Sequence, residues 1–255
     1  MTDAHPASAH APDWVARFFD AKALAHGPSG VLDHHRERAA AVERFGGLGR
    51  GRVLELGAGA GGSAAATADL GHDVVAVELS PRRAAYARAL AEARPRLQVV
   101  EADFLSWSGD GEFGAVVLWN GFGVGSDEDQ RVLLRRIASW LAPGGVALLD
   151  VFCPAGWIAD AGLEEVEEET GLRERVDYDH LRSRFVDTWW FDGPDDPPLA
   201  QSARCYTVAD LRLLLEGTGL GLEAVELDGR PADPDEGDAA AWAAAWSYRV
   251  RLRPR

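Results

Sequence analysis

Ten residues constrain this chain more than any others: Val53-Leu54-Glu55-Leu56-Gly57-Ala58-Gly59-Ala60-Gly61-Gly62. An apolar run carrying one acid ends in alternating glycines, and an Ala-rich segment with helical character begins at Ser63, so the stretch reads as strand, tight turn and helix. Glycine suits such a turn because it reaches positive φ without a Cβ clash and lets a ligand lie against backbone N–H groups. Gly57-x-Gly59-x-x-Gly62, with Glu78 following 21 residues after Gly57, also satisfies the dinucleotide fingerprint. Glu55 tips the balance. A buried carboxylate at the strand end repels a pyrophosphate and attracts an ammonium or sulfonium.

The following segments alternate between strand and helix. Ala64 to Leu70 reads as a helix closed by Gly71, Val74 to Glu78 as the second strand, and Ser80-Pro81 as the N-cap and first position of the next helix. Leu97 to Glu101 is the third strand, with Asp103 and Phe104 just beyond it, and Ala115 to Leu118 is the fourth, leading into Trp119, Asn120 and the Gly121 to Gly125 loop. A helix from Asp127 ends at Leu141-Ala142-Pro143-Gly144-Gly145 before a strand from Val146 to Val151. Upstream, residues 1–11 are small and polar and are expected to be disordered. Residues 12–50 hold two helical patterns joined by Gly27-Pro28-Ser29-Gly30, a hinge or a turn with a capping serine. Between about 153 and 205 the alternation stops. An acidic run from Gly162 to Thr170 reads as a solvated face, and the segments Arg173–Tyr178, Arg182–Phe191 and Ala200–Tyr206, interrupted at Gly193 to Pro198, predict a small antiparallel insertion. A helix from Val208 to Glu216, a sixth strand from Gly221 to Leu227 and a long final strand from Ala241 to Leu252 complete the chain.

The spelling Glu55-x-Gly57-x-Gly59-x-Gly61 resembles motif I of the class I methyltransferases that use S-adenosylmethionine, and the later features follow in that family's order. The resemblance covers roughly Val53 to Leu227. It implies an α/β fold: a Rossmann-like open seven-stranded sheet with a C-terminal antiparallel hairpin, an N-terminal helical lid and a small β insertion over the acceptor. It further implies S-adenosylmethionine as cofactor, with S-adenosylhomocysteine as product. Glu55 would face the aminoacid end, Gly57, Ala58, Gly59 and Gly61 would form the turn, Glu78 with Leu79 beside it would take the ribose hydroxyls, Asp103 and Phe104 the adenine, and Asn120 the methionine part. The 51–255 region is thus expected to be the cofactor-binding domain, and the reaction to be methyl transfer to N or O of a small-molecule acceptor from metabolism or natural-product chemistry.

Composition narrows the partners. A net charge of −15 argues against a polyanion, so nucleic acid is not expected as substrate. Lys22 is the only lysine among 26 basic residues, which reads as a coding bias. Cys153 and Cys205 are too few for a disulfide scaffold or a metal site, which suits a reduced, cytoplasmic setting. Neither a leader segment nor an apolar run of membrane-spanning length is visible, so no membrane is expected, and a homodimer is compatible with the sequence.

Methyl transfer mainly needs alignment, desolvation and sometimes a base. Candidate bases are His180, in the insertion beside Asp179 and Tyr178, and His34, at the start of the second helix; His35, Tyr178, Trp157 and Trp189 are candidate acceptor contacts. A turn or surface histidine and packing tryptophans are the plainer readings of the same residues. Two rival functions stand: an NAD-dependent oxidoreductase, and a protein of this fold that binds S-adenosylmethionine but catalyses a cyclisation or isomerisation.

Overall fold

Strand β1 (Arg52–Leu56) sits in the interior of a sheet, paired parallel with β2 (Asp73–Glu78) on one side and β4 (Phe113–Leu118) on the other. Val53, Leu54 and Leu56 are fully buried, because a parallel strand flanked by helices on both faces has no solvent side. The computed structural model describes residues 12–109, 111–191 and 198–255. The expected tail at 1–11 and most of the break at Gly193 to Pro198 lie outside the described residues.

Helix α3 (Gly62–Asp69) connects β1 to β2, helix α4 (Pro81–Ala91) connects β2 to β3 (Leu97–Glu101), and helix α5 (Asp127–Trp140) connects β4 to β5 (Leu141–Phe152). Ser80 caps α4, accepting from Arg83 N at 3.2 Å, with Pro81 at the first helical position. Helix α7 (Val208–Leu215) leads into β10 (Leu220–Leu227), β11 (Arg230–Ala232) and β12 (Ser247–Pro254), and the sheet order is β11-β10-β12-β5-β4-β1-β2-β3. Growth from β1 runs first toward β3 and then reverses through β4, which places a crevice beyond the carboxyl ends of β1 and β4. The C-terminal strands β10 (Leu220–Leu227) and β12 (Ser247–Pro254) form the expected antiparallel pair, with β12 inserted antiparallel against β5.

The main sheet departs from the sequence reading first in β5, which begins at Leu141 where the sequence predicts a turn running to Gly145. The sheet has eight strands, because Arg230–Ala232 (β11) folds back on β10 within the acidic loop. The final strand starts at Ser247, six residues later than expected: Ala239–Ala243 forms a short helix, α8, capped by Asp238, whose carboxylate accepts Ala240 N at 2.9 Å. An alanine run favours helix over strand, and the Trp242 and Trp246 spacing is compatible with either.

The insertion is a separate antiparallel sheet, β6-β7-β8-β9, made by Glu164–Val166, Leu172–Asp179, Arg184–Phe191 and Leu199–Arg204, preceded by helix α6 (Pro154–Ala159). The acidic run is solvated as expected, yet Glu164–Val166 also pairs with β7. Along β8, Phe185, Asp187 and Trp189 turn inward in strict alternation. Helix α1 (Trp14–His26) lies across that inner face, where Phe18 packs edge-on to Trp189 with centroids 5.6 Å apart. Burying Phe18 contributes about 2–3 kcal/mol. The other side of α1 is tied to α4 through Asp20, whose carboxylate accepts from Ser80 Oγ and from Arg82 N. Helix α2 (Asp33–Arg44) rests on α3 through Val42, which packs with Ala64, Ala65 and Ala68. Ser29 caps neither helix, since α2 begins at Asp33 with Leu32 as its N-cap. Among the described residues, no helix is long and apolar enough to cross a membrane.

Candidate functional site

The crevice holds a cavity of about 350 Å³, floored by the glycine turn and roofed by α1 and the start of α2. Gly57, Gly59 and Gly61 have φ of +62°, +58° and +83°, all in the left-handed region. Glu78 fixes the turn from the next strand: Oε2 accepts Gly59 N at 2.7 Å and Oε1 accepts Ser80 N at 2.8 Å. Burial pushes the Glu78 carboxyl up, and those N–H groups and Arg83 hold it partly back. A Cβ on Gly61 would stand 2.6 Å from Ala87 Cβ and 2.8 Å from its Cα. Gly61→Ala is therefore expected to cost about 2–4 kcal/mol from strain and overpacking, which a thermal melt would read as a midpoint lowered by roughly 5–15 °C.

Gly62, the extra glycine that kept a dinucleotide reading open, has a local reason: the ring of His35 occupies the space a side chain would need. His35 lines the cavity, and its Nδ1 accepts Leu32 N at 3.0 Å, so the neutral ring carries its proton on Nε2. Burial first, then His34 and Arg38, hold its pKa down at about 4. It is a donor, not a base.

Glu55 is fully buried at the cavity floor, and among the described residues its Oε2 has no hydrogen-bond partner. Burial pushes its carboxyl up to about 8, with Glu78 adding to the rise and Arg38 opposing it. An orphaned buried carboxyl is costly, so this one is fitted to a ligand that brings a positive charge or hydrogen-bond donors. Glu78 ends β2, and Asp103 follows β3, where its Oδ1 accepts Leu105 N at 2.8 Å. Phe104 lies against Gly57, at 3.5 Å from where a Cβ would be. Three acids from successive strands thus converge on one cavity. Leu79, Ala58 and Asn120 line the same cavity, and Asn120 reaches it from a left-handed backbone at φ +57°.

The remaining candidates fall elsewhere. His180 sits on the exposed turn between β7 and β8, outside the cavity lining. Its expected partners are engaged: Asp179 accepts from Leu181 N and Arg182, and Asp177 from Arg175. His34 is exposed on the outer side of α2, while its neighbour His35 turns inward. Tyr178 Oη pairs with Ser183 Oγ at 2.7 Å, away from the cavity. Trp157 stacks on Phe185 at 4.0 Å and donates Nε1 to Trp246 O, so it packs the base of the insertion. Trp189 is likewise buried, behind the cavity wall. Sequence reasoning missed Lys22, Arg38, Tyr86 and Trp119, all of which line the cavity. Lys22 alone left a signal, as the single lysine on the stripe Val15, Phe19, Lys22 and His26 of one helix.

Residues 53–145 match the family described as Methyltransferase domain. The chain is 37% identical over 136 residues to a cypemycin N-terminal methyltransferase of Streptomyces sp, a match covering 52% of this chain and 51% of that protein. It thus spans about half the length of that curated relative. The CcbJ methyltransferase of Streptomyces caelestis superposes with a TM-score of 0.76 at 24% identity, covering 95% of this chain and 99% of the other. The glycopeptide N-methyltransferase MtfA, complexed with sinefungin, superposes with a TM-score of 0.60 at 23% identity, covering 90% and 89%. With its strand order and glycine turn, the chain has the fold of these solved methyltransferases, and its residues 53–145 match the methyltransferase-domain family.

Proposed function

We propose that this protein transfers a methyl group from S-adenosylmethionine to a nitrogen of a small-molecule or peptide natural-product acceptor. The observation that carries the reading is the orphaned Glu55 carboxyl beside a left-handed glycine turn that Glu78 holds by hydrogen bonds. When bound, the cofactor supplies an activated methyl on a sulfonium. The chain's own part is to bind and orient. In this reading Glu55 meets the ammonium of the aminoacid end, Arg38 on the same wall meets its carboxylate, Glu78 takes the ribose hydroxyls, and Asp103 with Phe104 takes the adenine. Roofing by α1 excludes water from the reacting centre.

Among the described residues, His34 and His180 lie outside the cavity, the His35 Nδ1 is occupied, and His26 donates Nδ1 to Lys22 O with Nε2 turned toward Glu167, so no histidine is set to activate a hydroxyl and nitrogen is preferred over oxygen. The relatives named for N-methylation and N-terminal methylation support the same choice. Calorimetry with S-adenosylhomocysteine and with NAD in parallel tests the cofactor, and binding of NAD alone would overturn the reading. Mass spectrometry of amines and free-N-terminal peptides after incubation with S-adenosylmethionine tests the transfer, with a one-methyl gain expected on nitrogen. A protein that binds the cofactor and methylates none of them would favour the non-methylating alternative.

A further inference from the structure

An amine acceptor reaches the cavity mostly as an alkylammonium, which has no lone pair, so one proton must leave before nitrogen can be methylated. The carboxylates among the described cavity residues are Glu55, Glu78 and Asp103, which the proposed function assigns to the cofactor. Tyr86 Oη is turned toward Ala23 O at 3.5 Å, and His26 donates Nδ1 to Lys22 O with Nε2 facing Glu167 at 3.8 Å. One group is left. Among the described residues the Lys22 ammonium makes neither a hydrogen bond nor an ion pair; it rests on the Trp189 face, 3.6 Å from the ring centroid, at the cavity wall.

We propose that Lys22 is the proton acceptor for the acceptor amine, an inference that rests on the N-methylation reading above. The neutral lysine nitrogen takes one proton from R–NH3+, giving Lys22–NH3+ and R–NH2. The electron pair of the broken N–H bond stays on the acceptor as the nucleophilic lone pair. The surroundings suit a lysine that cycles between both states. Burial is the largest influence and lowers its pKa to about 8; Arg83 on α4 acts in the same direction, whereas Asp187 on β8, Glu174 on β7 and Glu167 favour the charged form. Roughly a quarter of the lysine is then neutral at pH 7.5. Asp187 does not clamp the ammonium because its oxygens already accept Trp189 Nε1 at 2.7 Å and Gln201 Nε2 at 2.6 Å. Burial first, and Glu174 hydrogen-bonded beside it, raise the Asp187 carboxyl itself to about 7, so it offers the ammonium only a partial counter-charge.

Because the chain has a single lysine, protein grown on lysine labelled with carbon-13 at the ε position gives one side-chain resonance. In the S-adenosylhomocysteine complex that resonance is expected to titrate near pH 8, and a midpoint above about 10, the ordinary lysine value, overturns the proposal. With the amine that the mass-spectrometric screen returns, Lys22→Met and Lys22→Arg are both expected to lower kcat/KM at pH 7 roughly 100-fold. The deficit should close as the pH approaches the acceptor's own pKa, where free amine is abundant. Rescue by Lys22→Arg, or a loss in Lys22→Met that is confined to KM and constant with pH, would instead show a charge that merely anchors the acceptor. Wild-type protein that fails to bind S-adenosylhomocysteine would sink the underlying reading, a result separate from either of these.

Discussion

Calorimetric titration with S-adenosylhomocysteine at pH 7 is expected to release close to one proton per molecule bound, about nine-tenths for a carboxyl of pKa about 8. Glu55 is the source. It is buried with no partner for Oε2 among the described residues, and burial, with Glu78 nearby, keeps it protonated until about pH 8. Pairing it with the ligand's ammonium removes the reason for that rise, and the proton leaves. Apparent affinity should therefore climb roughly tenfold per pH unit below 8 and then level off. The sign on stability follows. A carboxyl whose folded pKa lies above its unfolded one contributes stability that is present below the usual carboxyl range and is lost as pH rises through about 8. The ligand-free protein thus weakens over that window, and the thermal stabilisation by S-adenosylhomocysteine grows across it. Methylthioadenosine, which lacks the aminoacid end, should bind without releasing a proton. Glu55→Gln should abolish the release and weaken S-adenosylhomocysteine by about 1.5–3 kcal/mol, the worth of a hydrogen bond to a charged group, roughly ten- to hundredfold. Proton release that survives in Glu55→Gln would assign it to another group.

How much of this could be read beforehand depends on how local each determinant is. The glycine turn and the strand-end acids were legible because positive φ, strand length and cap chemistry are settled within a few residues: Gly57, Gly59, Gly61, Glu78 and the Ser80 cap stand where the pattern put them. The antiparallel insertion was legible because its extended segments need no knowledge of the partner strand, although which residues of β8 turn inward did not follow from them. The short strands β6 and β11 escaped, since three residues carry almost no periodicity and their order comes from pairing with β7 and β10. The histidines were harder still. His34 and His35 are adjacent in sequence but about 100° apart around the helix, and only the docking of α2 onto Gly62 decides which faces the cavity. Lys22 was passed over as compositional bias because its meaning is carried by Trp189, which lies far along the chain.

Arg249→Met is expected to destabilise the protein by about 3–5 kcal/mol, as breaking a buried ion pair from one side does, and to lower the thermal midpoint by roughly 10 °C. Arg249 reaches from β12 beneath the cavity: Nε donates to Asp150 at 2.8 Å, a terminal nitrogen donates to Glu37 at 3.0 Å on α2, and the guanidinium covers Trp119, 4.7 Å from its ring centroid. Asp150 and Glu226 are buried around it, and Arg44 also pairs with Glu226. Losing the arginine leaves Asp150 with Arg38, 3.8 Å away, as its remaining cation. Burial already pushes Asp150 up despite both arginines, so the variant's carboxyl rises further and is protonated over a wider range. The destabilisation should then be smallest at low pH, where Asp150 is protonated in both wild type and variant, and should widen as pH rises through its raised folded pKa. Adding Asp150→Asn should recover much of the loss at pH 8, because no charge is left buried alone. A deficit that is equal at pH 5 and pH 8, and indifferent to Asp150→Asn, would mean that Arg249 stabilises by packing on Trp119. Since Glu37 and Arg38 belong to α2, the same variant should loosen the helix that sets His35 over the glycine turn, and weaker binding of S-adenosylhomocysteine is expected alongside the lower midpoint.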